Sequence, residues 1–244
     1  MINKTLIIFD LDQTITNIDT FKTITKMLLT PEETEEIIKK CKIPELNWIP
    51  IQNLLYEYAY KHGKDHLSIK NALESIPLTN GMKELFEYLR QNLSKFELII
   101  LSSGNKISIE YLLAYNKIID IFKVILTNPS YVNEKGIIKV SQSNIHNCKT
   151  CNACQCKKVE LNEYFKKNPK QNYDKIIWIC DGKNDICLCE SLESKDYVFP
   201  RKDYDLYKEL YIKNFKDKIK CKIISWKDGF DIINELKKLN KILI

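Results

Sequence analysis

The feature that most constrains this chain is a series of short apolar runs, rich in isoleucine, separated by amphipathic helical stretches. Such runs, when they stop at polar or glycine-containing turns, read as strands buried on both faces of a parallel sheet. Leu6–Asp10, Leu98–Leu101, Val124–Thr127 and Ile176–Cys180 fit this description, with a short fifth strand at Asp196–Phe199 and a sixth at Lys222–Ser225. Helical patterns fall between them at Gly81–Gln91, Lys106–Asn116, Lys157–Asn168, Asp203–Asn214 and Gly229–Lys241. The alternation predicts an α/β fold, a doubly wound, Rossmann-like parallel sheet whose ligands bind at the carboxyl ends of its strands.

Between the first strand and Pro77 the alternation stops. Thr20–Leu29, Pro31–Cys41, Trp48–Lys61 and Asp65–Glu74 all read as helix. The expected organisation is therefore a core of residues 1–16 and 77–244 with an all-helical cap, residues 17–76, inserted above the crevice where it can shield the site and select substrates. A length of 244 residues suits one large α/β domain with a smaller insertion.

The formal charge of +6 is spread among many Lys, Asp and Glu residues, without the basic block or arginine stripe of a nucleic-acid-binding protein. No apolar run approaches the length needed to cross a bilayer. Met1–Thr5 enters a strand pattern directly, without the charged-then-apolar profile of a leader. These features predict a cytoplasmic protein with no nucleic-acid or membrane partner, whose nine cysteines are reduced thiols or metal ligands. No surface segment is apolar enough to name an oligomeric interface.

Three of the strands end in residues that can do chemistry. Asp10 and Asp12 lie two apart at the end of the first strand, in D10-L-D12-Q-T14. If the strand unwinds after Asp10, one carboxylate can attack phosphorus while the other protonates the leaving oxygen and later activates water. Taken alone, the same pattern also suits a turn in which Thr14 caps a helix. D181-G-K-N-D185 supplies further carboxylates that can hold Mg²⁺, with Asp181 a direct ligand and Asp185 a ligand through water or an orienter. The backbone carbonyl of Asp12 is a further candidate ligand. Ser102, at the end of a second apolar run, can donate to a phosphoryl oxygen beside the backbone N–H groups around Gly104. Lys157 could place a positive charge against the same group, although its spacing alone reads as a solvated surface lysine.

With these residues laid out, the chain resembles the haloacid dehalogenase superfamily of aspartate-nucleophile phosphatases, with all four motifs present in order: D10-L-D12-x-T14, Ser102, Lys157 and D181-G-x-N-D185. It is most similar to the branch acting on phosphoethanolamine, phosphocholine and pyridoxal 5'-phosphate. That likeness rests on I76-P-L-T-N-G-M82, T127-N-P-S130, H146-N-C-K-T-C151 running into C156-K157, and V198-F-P-R-K202 followed by Tyr204. The resemblance implies Asp10 as nucleophile, Asp12 as acid/base, and Asp10, Asp12, Asp181 and Asp185 around Mg²⁺. It also implies phosphate or substrate contacts from Thr14, Ser102, Ser103, Asn105 and Lys157.

Three positions depart from the family pattern. Ser103 stands where an Asp is usual, though Asn105 is kept. The stretch N17-I-D-T-F21 is poorer in carboxylates than its counterparts, and Cys180 replaces a Gly before Asp181. An ammonium head group wants a carboxylate or an aromatic face near the phosphate, so the missing acids favour a flat aromatic ester, pyridoxal 5'-phosphate, over phosphocholine or phosphoethanolamine. A phosphoserine-type activity ranks third. The rival from another class is a catalytically idle, metal-binding regulatory protein.

That rival would rest on His146, Cys148, Cys151, Cys154 and Cys156, which fall within eleven residues. Cys-x₂-Cys spacing with further thiols nearby suits a structural Zn²⁺ site and suits equally a compact turn of buried reduced thiols. Because the resembled family carries His and most of these cysteines just before its Lys, a knuckle that positions Lys157 is one expectation. Cys187 and Cys189 read as thiols facing the core or crevice. His62 and His66, and the tyrosines at 56, 58 and 60 with Trp48, read as helix-end and packing residues.

Overall fold

In a computed structural model, which describes residues 4–40, 47–151 and 153–241, the apolar runs pair into one six-stranded parallel sheet. Its strands are β1 (Lys4–Phe9), β2 (Phe96–Asn105), β3 (Phe122–Asn128), β6 (Tyr173–Cys180), β7 (Tyr197–Pro200) and β8 (Lys222–Ile223), in the order β3-β2-β1-β6-β7-β8. Two three-residue strands, β4 (Ser130–Val132) and β5 (Ile138–Val140), form a separate antiparallel hairpin that the apolar pattern does not predict.

Alternate side chains sort onto the two faces, as strand geometry requires. Ile7, Phe9, Leu98, Ile100, Ile177, Ile179 and Phe199 join a core shared with α5 (Met82–Arg90), α6 (Lys106–Tyr115) and α10 (Gly229–Lys241). Leu6, Ile8, Ile99, Leu101, Ile176, Trp178 and Val198 join the opposite core, with α7 (Lys157–Lys167), α8 (Ile186–Cys189) and α9 (Asp205–Tyr211). Helices on both faces make the sheet doubly wound, and the continuous Ile-rich runs follow from burial on both sides. The start of α10 meets that of α5 at very close range: a Cβ on Gly229 would lie 2.2 Å from the Gly81 carbonyl oxygen, so only glycine fits there.

Chain order reverses around β1, which pairs with β2 on one side and β6 on the other. The crevice at a topological switch point opens at the carboxyl ends of these three strands. The register sets which residues meet there: Phe9 is level with Ile100 and Ile179, and the Asp10 N–H donates to the Ile179 carbonyl at 3.0 Å. Asp10, Ser102 and Asp181 therefore leave the sheet at one edge.

Four helices follow β1: α1 (Thr20–Leu28), α2 (Pro31–Lys40), α3 (Trp48–Lys61) and α4 (His66–Glu74). Asp19, Asn47 and Asp65 cap α1, α3 and α4 with side-chain oxygens, and Thr30 with Glu33 forms a reciprocal capping box on α2. The predicted end of the second of these helices at Cys41 lies outside the described residues. Asn53 of α3 pairs with both backbone groups of Val140 in β5, at 2.9 Å each, so the hairpin fastens these helices to the sheet domain. No helix among the described residues is long and apolar enough to cross a membrane.

Candidate active site

Asp10 is extended (φ −74°, ψ 165°), and after it the chain turns tightly through Leu11–Ile15 with Gln13 in the left-handed region (φ +54°). One Asp10 carboxylate oxygen accepts from the Leu11 N–H at 2.7 Å and the other from Lys157 Nζ at 2.6 Å. Lys157 is the first residue of α7 and only 1 % exposed, so it is not the solvated lysine that its spacing alone suggested. Its ammonium also donates to Asp185 Oδ1 at 2.6 Å and lies 4.9 Å from the centre of the Trp178 ring. Burial alone would lower the Lys157 pKa, but the Asp10 and Asp185 carboxylates overcome it and hold the amine charged.

Asp181 and Asp185 complete a cluster in which one carboxylate oxygen from each of Asp10, Asp181 and Asp185 lies within 4.8 Å of the others. Three buried carboxylates face a single ammonium. Burial first, then the charges of Asp10 and Asp185, drives the Asp181 pKa well above the carboxylate range, and burial lifts Asp185 to about 6 despite Lys157. An all-oxygen, electron-rich donor set of this kind can hold a divalent cation, whose charge would relieve the repulsion. Asp185 spends its second oxygen on the Gly182 N–H at 3.0 Å, which fixes the turn of the fourth motif.

Asp12 stands apart from the three clustered carboxylates. Its Oδ1 accepts from the Thr20 N–H at 2.6 Å, at the first turn of α1. Burial, and then the neighbouring Asp19 charge, raises its pKa to about 7. A carboxyl that gains and loses its proton near neutrality suits general acid/base work.

Ser102 is 1 % exposed and its Oγ accepts from the Gly104 N–H at 3.2 Å. Thr14 and Asn105 both hydrogen-bond to neighbouring side chains. Thr14 is fully buried and its hydroxyl donates to Asp181 Oδ1 at 3.2 Å, so it orients a carboxylate. Asn105 caps α6 through its oxygen, and its amide group donates to Gln52 Oε1 at 3.0 Å and to the Tyr56 hydroxyl at 3.1 Å, both on α3. Both amide hydrogens are thus engaged in tying α3 to the end of β2. Ser103 Oγ donates to Gln155 Oε1 at 3.3 Å.

Two further residues were not singled out for the site from sequence. Gln155 is 1 % exposed, and its amide nitrogen has no hydrogen-bond partner among the described residues. It sits two residues before Lys157, inside a segment where the cysteines dominate the pattern. Arg201, just past β7, donates to the Gln13 carbonyl at 2.5 Å and to Asn17 Oδ1 at 2.7 Å while stacked over Tyr204 and Trp226. It clamps the turn that carries Asp12. Its signal was the V-F-P-R-K segment, which says nothing by itself about what the guanidinium would grip.

Cys180 is fully buried and packs with Ile186, Leu188 and Cys189 on the α7–α8–α9 face, which explains how a side chain is accommodated before Asp181. The thiol cluster is regrouped relative to the sequence expectation. Cys148, Cys151, Cys156 and Cys187 bring their sulfurs within 4.8 Å of one another. Cys154 instead lies fully buried in the other core, and His146 Nδ1 accepts from the Cys148 N–H at 3.2 Å. Tyr56 is buried, and Tyr58 stacks on His62 at 4.3 Å, in keeping with the packing reading of these residues.

The profile of the family described as "Putative Phosphatase" matches residues 5–240, nearly the whole chain. The chain belongs to this family. Among family relatives, the pyridoxal phosphate phosphatase PHOSPHO2 of Homo sapiens is 33 % identical over 241 residues, covering 98 % of this chain and 99 % of the relative. The phosphoethanolamine/phosphocholine phosphatase of Gallus gallus is 28 % identical, covering 98 % and 90 %. The family fold is that of the haloacid dehalogenase-like hydrolases. A substrate-bound phosphoserine phosphatase structure aligns with a TM-score of 0.59 at 18 % identity, over 96 % of this chain and 99 % of that one.

Proposed function

We propose that this family member is a Mg²⁺-dependent phosphomonoesterase of small metabolites that acts on pyridoxal 5'-phosphate through an aspartyl-phosphate. The observation that carries the reaction type is the buried Lys157 ammonium, 2.6 Å from both Asp10 and Asp185 at the mouth of the switch-point crevice, with Asp181 alongside. Asp10 is oriented for attack by the Lys157 ammonium and the Leu11 N–H. As its oxygen bonds to phosphorus, the ester P–O bond breaks and the leaving oxygen takes the Asp12 proton, releasing the alcohol. Water then attacks phosphorus and gives its proton to the Asp12 carboxylate. The Asp10–phosphorus bond breaks, inorganic phosphate departs, and both carboxyl groups return to their starting states.

A bound Mg²⁺ would neutralise charge building on the phosphoryl oxygens. Asp10, Asp181 and Asp185, with the Asp12 backbone carbonyl, are the groups that would hold it. Ser102, whose Oγ accepts from the Gly104 N–H, would donate its hydroxyl hydrogen to a phosphoryl oxygen.

The substrate preference rests on what surrounds the entry to the site. Phe21, next to the Thr20 amide that binds Asp12, packs against Trp48 with ring centroids 5.9 Å apart, and Trp48 remains 36 % exposed. The neighbouring carboxylate, Asp19, is occupied in capping α1 through the Lys22 N–H at 2.8 Å. The flat aromatic edge offers a pyridine ester a ring to stack on, while the nearby acid that an ammonium group would pair with is committed to the helix cap. We read residues 17–76 as the cap domain on a core of 1–16 and 77–244, supported by the Asn105 link to α3. Eight described cysteines that are all free thiols fit a cytoplasmic setting.

Phosphate release from pyridoxal 5'-phosphate, phosphoethanolamine, phosphocholine and phosphoserine, with and without Mg²⁺, tests the proposal. Metal-dependent release favouring pyridoxal 5'-phosphate is expected, and Asp10→Asn should abolish it in folded protein. A preference for the amine esters would overturn the substrate assignment, and turnover by Asp10→Asn would remove the nucleophile.

A further inference from the structure

Outside the carboxylate site, four cysteines from two segments of the chain gather their sulfurs within 4.8 Å of one another. Cys148, Cys151 and Cys156 come from the segment that precedes α7, and Cys187 comes from α8, more than thirty residues later. The Cys151 and Cys156 sulfurs are 3.6 Å apart and those of Cys156 and Cys187 3.7 Å apart. A zinc–sulfur bond of about 2.3 Å in a regular tetrahedron sets sulfur–sulfur edges of about 3.8 Å. The cluster already has nearly that spacing. Cys151, Cys156 and Cys187 are buried, and Cys148 is partly so.

We propose that Cys148, Cys151, Cys156 and Cys187 bind one structural Zn²⁺ in an all-thiolate site. All four donors are soft sulfur, which selects zinc over the hard cation suited to the aspartates. Four protein ligands close the coordination sphere and leave no open position for a reacting water, so the ion is structural. Binding releases the four thiol protons and leaves a tetrathiolate zinc centre of net charge −2.

The need for such a site is visible in the backbone. Between β5 and α7, residues 141–156 contain neither helix nor strand among the described positions. A stretch of this length inside a compact domain requires something else to order it. Side chains supply part of this, as where Gln142 donates to the Asn144 and Ala153 carbonyls. The metal would supply the rest.

Its position gives it a second consequence. Cys156 immediately precedes Lys157, Cys187 lies two residues beyond Asp185, and the Cys151 sulfur is 3.9 Å from the Asn184 carbonyl oxygen. The ion would staple together the two segments that present the Lys157–Asp185 pair. It acts as a positioning element for the phosphate site.

The test uses the full chain purified from zinc-replete cells without chelator. Elemental analysis should find about one zinc per chain, and X-ray absorption at the zinc edge should show four sulfurs at about 2.3 Å with no nitrogen. Cys187→Ser should lose the zinc, whereas Cys154→Ser should keep it. A small fraction of an equivalent of zinc in wild-type protein would overturn the proposal. So would a histidine nitrogen in the zinc shell, iron in place of zinc, or retention of zinc by Cys187→Ser. Should Cys187→Ser fail to fold, the absorption spectrum of wild-type protein decides the ligand set alone. Because every readout is the metal itself, the result stands apart from whether pyridoxal 5'-phosphate is the substrate.

Discussion

At the scale of single residues, the two carboxyls of the first motif are divided by what surrounds them. Asp10 meets the Lys157 ammonium and the Leu11 N–H, which fix the orientation of its two oxygens. Asp12 meets burial and the Asp19 charge, which favour the proton and raise its pKa to about 7. In the proposed first displacement Asp12 carries its proton to the leaving oxygen. Its protonated fraction falls as pH rises through about 7, so kcat/KM at saturating Mg²⁺ should decline on the alkaline side. Asp19→Asn removes one cause of the shift while keeping a good helix cap, and should move that limb toward lower pH. An unmoved limb in Asp19→Asn would show that Asp19 does not set it. The identities of Asp10 and Asp12 were readable from D-x-D-x-T, but their division of labour was not, because Asp12's proton affinity depends on how α1 folds back over it. The same holds for Lys157, whose burial only the tertiary fold creates.

At the scale of elements, the turn after β1 is held from the far side of the sheet. Arg201 leaves β7 and grips Gln13 and Asn17 with the two ends of one planar guanidinium. The grip holds the left-handed Gln13, a conformation unusual for a residue with a side chain. Arg201→Gln should lower kcat by about ten- to a hundredfold, the cost of a small misplacement of the reacting groups, with KM changed much less. Arg201→Lys should restore little, since a point charge cannot replace the fork. Steady-state kinetics of folded protein checks this: an unchanged kcat, or a rise confined to KM, would remove the positioning role. The longer strands and helices were legible because each runs long enough to show its pattern, whereas α8, four residues long, does not. The β4–β5 hairpin was not, since three residues per strand show no alternation. Its turn signal, with Asn133 Oδ1 accepting from the Lys135 and Ile137 N–H groups and Gly136 at φ +80°, becomes clear only once the strands are paired.

At the scale of the whole molecule, the doubly wound topology gathers carboxylates from two parallel strands at one edge and buries them together. The apolar runs made the sheet readable, and the strand-end acids showed where its crevice would open. What they could not show was the electrostatic cost of the arrangement, which depends on how many of those groups lose contact with water. Without a cation, Asp181 and Asp185 hold protons in the folded state at pH values where the unfolded chain, with carboxyls near 3.8, has released them. Folding therefore takes up protons, and this cluster's contribution to stability falls as pH rises from about 4 to beyond 6. Under the proposed function, Mg²⁺ would bind the ionised cluster and reverse the penalty. At a Mg²⁺ concentration a hundred times its Kd the gain is about 2.7 kcal/mol, or roughly 5–10 °C in Tm for a chain of this size. The gap in Tm between Mg²⁺-loaded and metal-free protein should accordingly widen between pH 5 and pH 7.5, and Asp181→Asn should narrow it by removing both a ligand and one of the crowded charges. Thermal melts with EDTA or excess Mg²⁺ across that range measure it directly. A gap that stays constant with pH, or persists undiminished in Asp181→Asn, would mean that the cation binds elsewhere and that the buried aspartates are balanced by Lys157 alone.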